Sequence, residues 1–196
     1  MRPRKRYVIA TGVILAAIIG VGAIVSTAGA PPHRTTNPPV VRVKRIARPR
    51  ALDIGHRIND ERRARGLKPM RWDPRLAAYA RRWASVMAHQ HRMFHSDIGR
   101  LLGPYNYVGE NVAYGSPGVS VSTLHVAWMK SDEHRANDLA PGFQNVGVGI
   151  GCASDGTMYA SANFARAASA GPPPAAPSST PKLPIVRTDP NNLGCH

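Results

Sequence analysis

A chain of 196 residues has room for one domain of about 100–150 residues plus flanking segments. Its net charge of +15 would fit a nucleic-acid binder only if the charge lay on a folded surface. Residues 1–50 hold ten basic residues and no acidic one, whereas residues 51–166 hold fourteen basic and ten acidic. The excess belongs to the start of the chain, and no helix-turn-helix, finger or aromatic-stacking motif accompanies it, so nucleic acid is excluded as an expected partner.

Arg2, Arg4, Lys5 and Arg6 precede an uncharged run, Tyr7 to Ala30, rich in Ile, Val, Ala and Gly. A positive stretch before an apolar one is an export signal, and this one is long enough to span a bilayer as a transmembrane helix. Residues 1–30 therefore read as a signal peptide, cleaved after Ala28, or as an uncleaved signal anchor. Both place the rest of the chain outside the cytoplasm, secreted or membrane-anchored. Residues 31–50 contain five prolines and only basic charges, the composition of an extended, solvated linker. Such a linker can hold the domain near an anionic membrane or wall surface, or serve simply as a spacer.

The domain is expected over 51–166. Leu52, Ile54 and Ile58 interleave with polar residues in a first helix that Gly66 ends. Asp73-Pro74 then supplies an N-cap and a proline at the first helical position. Behind it Leu76, Ala80, Trp83, Ala84, Met87 and Ala88 share one helical face. A third helix is expected from about Ser120, and a short fourth from Asp132 to Leu139 before Pro141. The three tryptophans, Trp72, Trp83 and Trp128, read as core, while Asn59 and Arg62 read as buttresses at the domain's edge.

A hairpin closes the domain. Val146, Val148, Ile150 and Cys152 alternate with Gly147, Gly149 and Gly151, and Asp155-Gly156 marks the turn before a strand from Met158 to about Ala165. The glycines share a face, which would let a helix pack closely there. Residues 167–196 form a Pro/Ala-rich tail that ends in Cys195, and in an exported chain the two cysteines, Cys152 and Cys195, favour a disulfide that pins the tail.

Histidines carry most of the remaining chemistry. His91 and His95 stand four apart, as helical metal ligands can, with His89 nearby, yet no glutamate accompanies them as in an HExxH zinc site. The constellation across elements is richer. Asn59-x-x-Arg62, Gly66-Leu67-Lys68-Pro69 with Arg71-Trp72-Asp73, Leu76-x-x-x-Ala80-x-x-Trp83-Ala84, His95-Ser96, Gly109-Glu110-Asn111, Trp128-Met129-x-Ser131-x-x-His134-Arg135-x-Asn137 and Val146-Gly147-Val148-Gly149 follow one another in order. Over Ala51–Arg166 this series resembles the CAP superfamily (cysteine-rich secretory, antigen 5 and pathogenesis-related-1 proteins) in its bacterial SCP-domain form.

The resemblance implies an α+β fold, a three-layer α-β-α sandwich, with a cleft lined by two histidines and two acids. His95, Glu110 and His134 match three of those positions. Ser131 stands at the fourth, as it commonly does in bacterial members, and removes one carboxylate from the cleft. Two neutral imidazoles suit a borderline divalent ion, most naturally zinc, whose binding would weaken as pH falls through about 6.5. Glu110 would orient one ring or hold a metal-bound water. The expected function is a non-catalytic, extracytoplasmic binding module that takes a divalent metal and a lipid, cell-wall component or protein. The competing reading is a metal-assisted hydrolase using His95, Glu110 and His134, in which Glu110 is the catalytic residue that assists a metal-bound water in attacking an ester, amide or glycan. No Gly-x-Ser-x-Gly elbow is present, so a nucleophilic serine is unsupported.

Overall fold

The computed structural model describes residues 50–170 and Cys195, with backbone alone for two short N-terminal pieces. Most of the expected signal segment, the whole 31–49 stretch and the tail between 171 and 194 lie outside the described residues. Among the described residues no helix is long and apolar enough to cross a membrane.

The elements run β1 (Arg6–Ile9), β2 (Leu15–Ala16), α1 (Arg50–Ala64), β3 (Arg71–Trp72), α2 (Pro74–His89), a 3-10 turn (Ile98–Leu101) and β4 (Tyr105–Gly115). They continue through α3 (Val121–Lys130), α4 (Asp132–Leu139), β5 (Asn145–Cys152) and β6 (Met158–Ala167). The strands form one sheet in the order β1-β4-β6-β5-β3, with β2 also parallel to β4. β4, β6 and β5 are its antiparallel centre.

Helices cover both faces. On one, Leu76, Ala84 and Met87 of α2 pack with Val108 and Val112 of β4 and Tyr159 of β6. On the other, Ile54 and Ile58 of α1 and Leu124 and Trp128 of α3 pack with Val148 and Phe164. This is the expected α-β-α sandwich. The helix starts follow their caps. Asp73 Oδ1 accepts from the backbone N–H groups of Arg75 (2.9 Å) and Leu76 (3.4 Å), and Ser120 Oγ accepts from that of Thr123 at 3.2 Å.

The glycines of β5 set the spacing between layers. A Cβ on Gly147, Gly149 or Gly151 would collide with the backbone of α2 at Ala77, Arg81 and Ala84 respectively. Their bare Cα atoms let the helix axis approach the sheet more closely than any side chain would permit. β4 had no periodic signature because it is a central strand. Val108 to Ala113 are all buried, so no polar face alternates with the apolar one.

Two expectations need correction. Only Trp128 is fully buried; Trp83 is half-buried, its indole N–H donating to the Phe94 carbonyl at 2.7 Å, and Trp72 is 37% exposed. Trp72 sits on a two-residue edge strand, where α1 covers only part of its ring. Arg62, expected at the domain's edge, is 1% exposed and inside the fold. Its guanidinium donates to the carbonyls of Lys68, Asp138 and Ala140, each at 2.9 Å, and of Phe143 at 3.4 Å. Burial lowers its pKa to about 10, against the pull of Asp138, so it stays a cation at neutral pH. Asn59 clasps the Met70 backbone from both sides, accepting from its N–H at 2.8 Å and donating to its carbonyl at 2.9 Å.

Cys152 and Cys195 are bonded, with Cα atoms 5.6 Å apart and 43 residues between them in sequence. Cys195 is buried against the core, so the bridge brings the end of the chain back to the sheet. Chain entropy puts the loss on Cys152→Ser at up to about 4 kcal/mol, readable as a lower urea midpoint under non-reducing conditions. Gly149→Ala should cost at least about 3 kcal/mol, because the added methyl meets helix backbone rather than a movable side chain. An unchanged midpoint in that variant would contradict the close packing of α2.

Candidate functional site

The cleft residues come from three elements. Glu110 lies on the face of β4 shared with Val108 and Val112, beneath α2. His95 follows the end of α2, where the Trp83–Phe94 hydrogen bond and the edge-on contact of the two rings, centroids 4.8 Å apart, fix the chain's exit. His134 comes from the other layer, in the first turn of α4.

Glu110 is 0% exposed, and its carboxylate is fully engaged. Oε2 meets His95 Nδ1 at 2.8 Å and accepts from the Ser96 backbone N–H at 2.9 Å. Oε1 accepts from Ser161 Oγ at 3.2 Å. The sheet register supplies that partner, because β6 runs antiparallel to β4 with Asn163 opposite Glu110 and Ser161 opposite Val112. Glu110 therefore braces the His95 ring from behind, as a carboxylate does in a carboxylate–histidine–metal triad.

Ser131 does the equivalent for His134. It is the N-cap of α4 by backbone geometry, yet its hydroxyl makes no capping bond and instead meets His134 Nδ1 at 2.7 Å. The serine at the expected fourth-acid position thus fixes the ring through Nδ1 and leaves Nε2 on its far side. That nitrogen is buried and lacks a hydrogen-bond partner among the described residues. Burial, and then the charge His95 would carry, push the His134 pKa down to about 4, with Glu133 and the Val112 carbonyl acting weakly the other way. The expected change at about 6.5 is therefore moved for this ring, which stays neutral over the whole physiological range. The two imidazoles are close enough to feel each other's charge.

Backbone placement of α4 depends on an amide chain. Asn111 Nδ2 donates to the His134 carbonyl at 2.9 Å and to Asp138 Oδ1 at 3.0 Å. Asn137 Nδ2 donates to Asn111 Oδ1 at 2.9 Å and the Glu110 carbonyl at 3.3 Å. Each of these buried amides has a reason to be in the motif, although spacing alone assigned them none. Deeper still, His125 Nε2 lies 3.7 Å from Asp138 Oδ2, with both side chains almost wholly buried. Desolvation, and then Arg57, lower the His125 pKa to about 3, while burial raises that of Asp138 well above the ordinary carboxyl value. This pair was missed from the sequence, since a histidine in a helix carries no sign of which buried acid it will face.

Other expectations separate. His91 turns toward Asp155 in the hairpin turn, Nδ1 to Oδ2 3.4 Å, rather than joining His95. His89 is exposed, so the His89/His91/His95 cluster does not form. Among the described residues no group of three or more His, Cys, Asp or Glu side chains converges as a metal site. Asp132 points outward into an ion pair with Arg135. Buried polar atoms of Ser96 and Asn163 beside Glu110 lack partners among the described residues, which makes the interior around the carboxylate polar.

The buried His125 gives a pH prediction. Between pH 6.5 and about 3 the unfolded chain gains a proton on this ring that the folded chain refuses, so its contribution to stability falls as pH falls through that window. Asp138 acts in the opposite sense above pH 3.8, being protonated in the fold where the unfolded chain is ionised. Thermal melts should therefore show a shallower loss from pH 6.5 to 4 in His125→Gln than in wild type. Equal slopes would mean that His125 is not held neutral.

Comparison with known proteins agrees with this architecture. The cysteine-rich secretory protein family, CAP, matches residues 56–164. Pathogenesis-related protein 1 of Arabidopsis thaliana is 40% identical over 82 residues, covering 40% of this chain and 46% of that protein. The uncharacterized protein YkwD of Bacillus subtilis (strain 168) is 34% identical over 100 residues, covering 46% of this chain and 38% of that one. The matched stretch spans less than half the length of each of these relatives. Among solved structures, an outer surface protein from Borrelia burgdorferi superposes with a TM-score of 0.53 at 16% identity, over 59% of this chain and 91% of that one. Schistosoma mansoni venom allergen-like protein 4 gives 0.52 at 14% identity, over 65% of this chain and 94% of that one. At such identities the structures speak for the fold alone, but fold, motif order and family match coincide: the chain belongs to the CAP family of cysteine-rich secretory proteins.

Proposed function

We propose that the protein is an extracytoplasmic binding module whose cleft takes a divalent ion on His95 and His134, with a lipid, cell-wall component or protein as its larger ligand. The observation that carries the metal reading is His134 Nε2, a buried and neutral nitrogen without a partner among the described residues, on a ring whose other nitrogen Ser131 already holds. A buried ring nitrogen without a hydrogen-bond partner is costly unless something meets it, and a borderline cation is a fitting candidate for imidazole donors. His95 fits the same role because its Nδ1 contact with Glu110 fixes the orientation of the ring. Two protein ligands make an open and reversible site. When bound, the ion would supply Lewis acidity and a fixed positive charge between the two helix layers.

The engagement of Glu110 favours binding over hydrolysis. A general base must reach a water or substrate proton, but both oxygens of this buried carboxylate are occupied by His95, Ser96 and Ser161. Its geometry is that of a support. Export of the domain rests on the basic, apolar start of the chain and on the secretory character of the family.

Titration calorimetry with zinc provides the test. Wild type should bind, the His95→Ala/His134→Ala double variant should not, and Ser131→Ala and Glu110→Gln should each bind about 10-fold to 100-fold more weakly. The same affinity in the double variant would refute the metal reading. Separately, Glu110→Gln should leave unchanged any turnover of peptide, lipid or muropeptide pools, and a loss of turnover in that variant would restore the hydrolase.

A further inference from the structure

Trp72 is the exposed large hydrophobic residue of the described fold, and its position is built. The six-membered ring of its indole lies against Gly55 in the middle of α1, where a Cβ would stand 3.0 Å from the ring. Glycine inside a helix costs about 0.5–1 kcal/mol relative to alanine, so the sequence carries a local penalty at the position against which this ring is seated. The rest of the indole lines a groove of about 570 Å³ that also includes Arg71, Arg75, Tyr105 and Asn145. Arg71 and Arg75 are exposed, and neither guanidinium has a hydrogen bond or ion pair within the described fold.

Asp73, the acid between them, is already satisfied. Its Oδ1 caps α2, and its Oδ2 accepts from the Tyr105 hydroxyl at 2.5 Å. The groove therefore presents a supported aromatic surface flanked by two unpaired guanidinium groups, with its one carboxylate turned to internal use. We propose that it binds an acidic sugar polymer, one ring stacked on Trp72 and its carboxylate or phosphate held by Arg71 and Arg75.

The shape and charge favour this occupant over others. A guanidinium offers a planar fork that matches carboxylate and phosphate oxygens two at a time. The apolar face of a pyranose ring is about the size of an indole, and a single aromatic platform suffices for one sugar. A membrane surface would need a protruding set of apolar side chains, whereas this tryptophan is a single exposed ring in a shallow, open groove. Single-stranded nucleic acid would need successive aromatic platforms, and Trp72 stands alone among the large hydrophobic residues exposed in the described fold. The groove shares no residue with the His95–Glu110–His134 cleft, so this proposal and the metal reading stand or fall separately.

The test uses the full chain, purified in mild detergent, with Trp fluorescence and calorimetry as readouts. Probes are oligogalacturonate for the carboxylate source, a sugar phosphate for the phosphate source, a neutral glucose oligomer and polyglutamate. Binding of either acidic sugar in preference to the neutral oligomer is expected, with a spectral change that is absent in Trp72→Phe. Trp72→Ala should weaken binding about tenfold through lost apolar contact, and Arg71→Gln/Arg75→Gln should weaken it at least about tenfold and remove its salt dependence. Trp72→Phe keeps a smaller ring on Gly55 and should bind at an intermediate level, which guards against reading a folding defect as lost contact. The His95→Ala/His134→Ala variant should bind the acidic sugar as wild type does. No binding of either acidic sugar at millimolar concentration, equal binding by the Trp72 and arginine variants, or preference for polyglutamate would each overturn the proposal.

Discussion

The close approach of α2 to β5 is the constraint on which the rest of the site depends. Gly147, Gly149 and Gly151 leave no side chain between strand and helix, so the helix backbone itself rests on the sheet. Fixing the helix there fixes its end, and the Trp83–Phe94 hydrogen bond then delivers His95 to a carboxylate on the next strand but one. A helix held off by even one methyl group would move His95 away from Glu110. The glycines, far from the cleft in chemical character, are what make its first contact possible.

The second imidazole is placed by a different kind of force. Where α2 is set by shape, α4 is set by a chain of buried amides from Asn137 through Asn111 to Asp138. Buried hydrogen bonds of this sort are modest in net stability but severe when broken, which makes them good devices for holding one geometry. The cleft thus joins two layers through two independent supports. Each of its rings is braced at Nδ1, His95 by Glu110 and His134 by Ser131, and that symmetry of support survives the loss of the fourth acid.

Arg62 and Trp72 show how the same family pattern produces opposite environments. Arg62 is drawn fully inside because four carbonyl oxygens around 68 and 138–143 need a donor, and a guanidinium has enough N–H groups to serve them. Trp72 stays outside because its strand is two residues long and ends the sheet, so one side of the ring finds Gly55 and the rest finds open groove. Hydrophobicity ranks predict the reverse for both. The local supply of partners decides, rather than residue type alone.

Much of this molecule was legible before any coordinate. Asp73-Pro74 marks the start of α2 because an N-cap acid and a proline each satisfy a constraint that is local to the backbone. The Val/Gly alternation and Asp-Gly turn announce the hairpin, and the stepped motifs from Asn59 to Gly149 name His95, Glu110 and His134 as companions. What the sequence could not express were relations across elements. That Glu110 is held by Ser161 depends on sheet register, that His125 faces Asp138 depends on how α3 meets α4, and that Trp72 is exposed depends on which strand lies at the edge. Local chemistry is written in neighbouring residues, whereas burial and pairing belong to distances that only the packed chain defines.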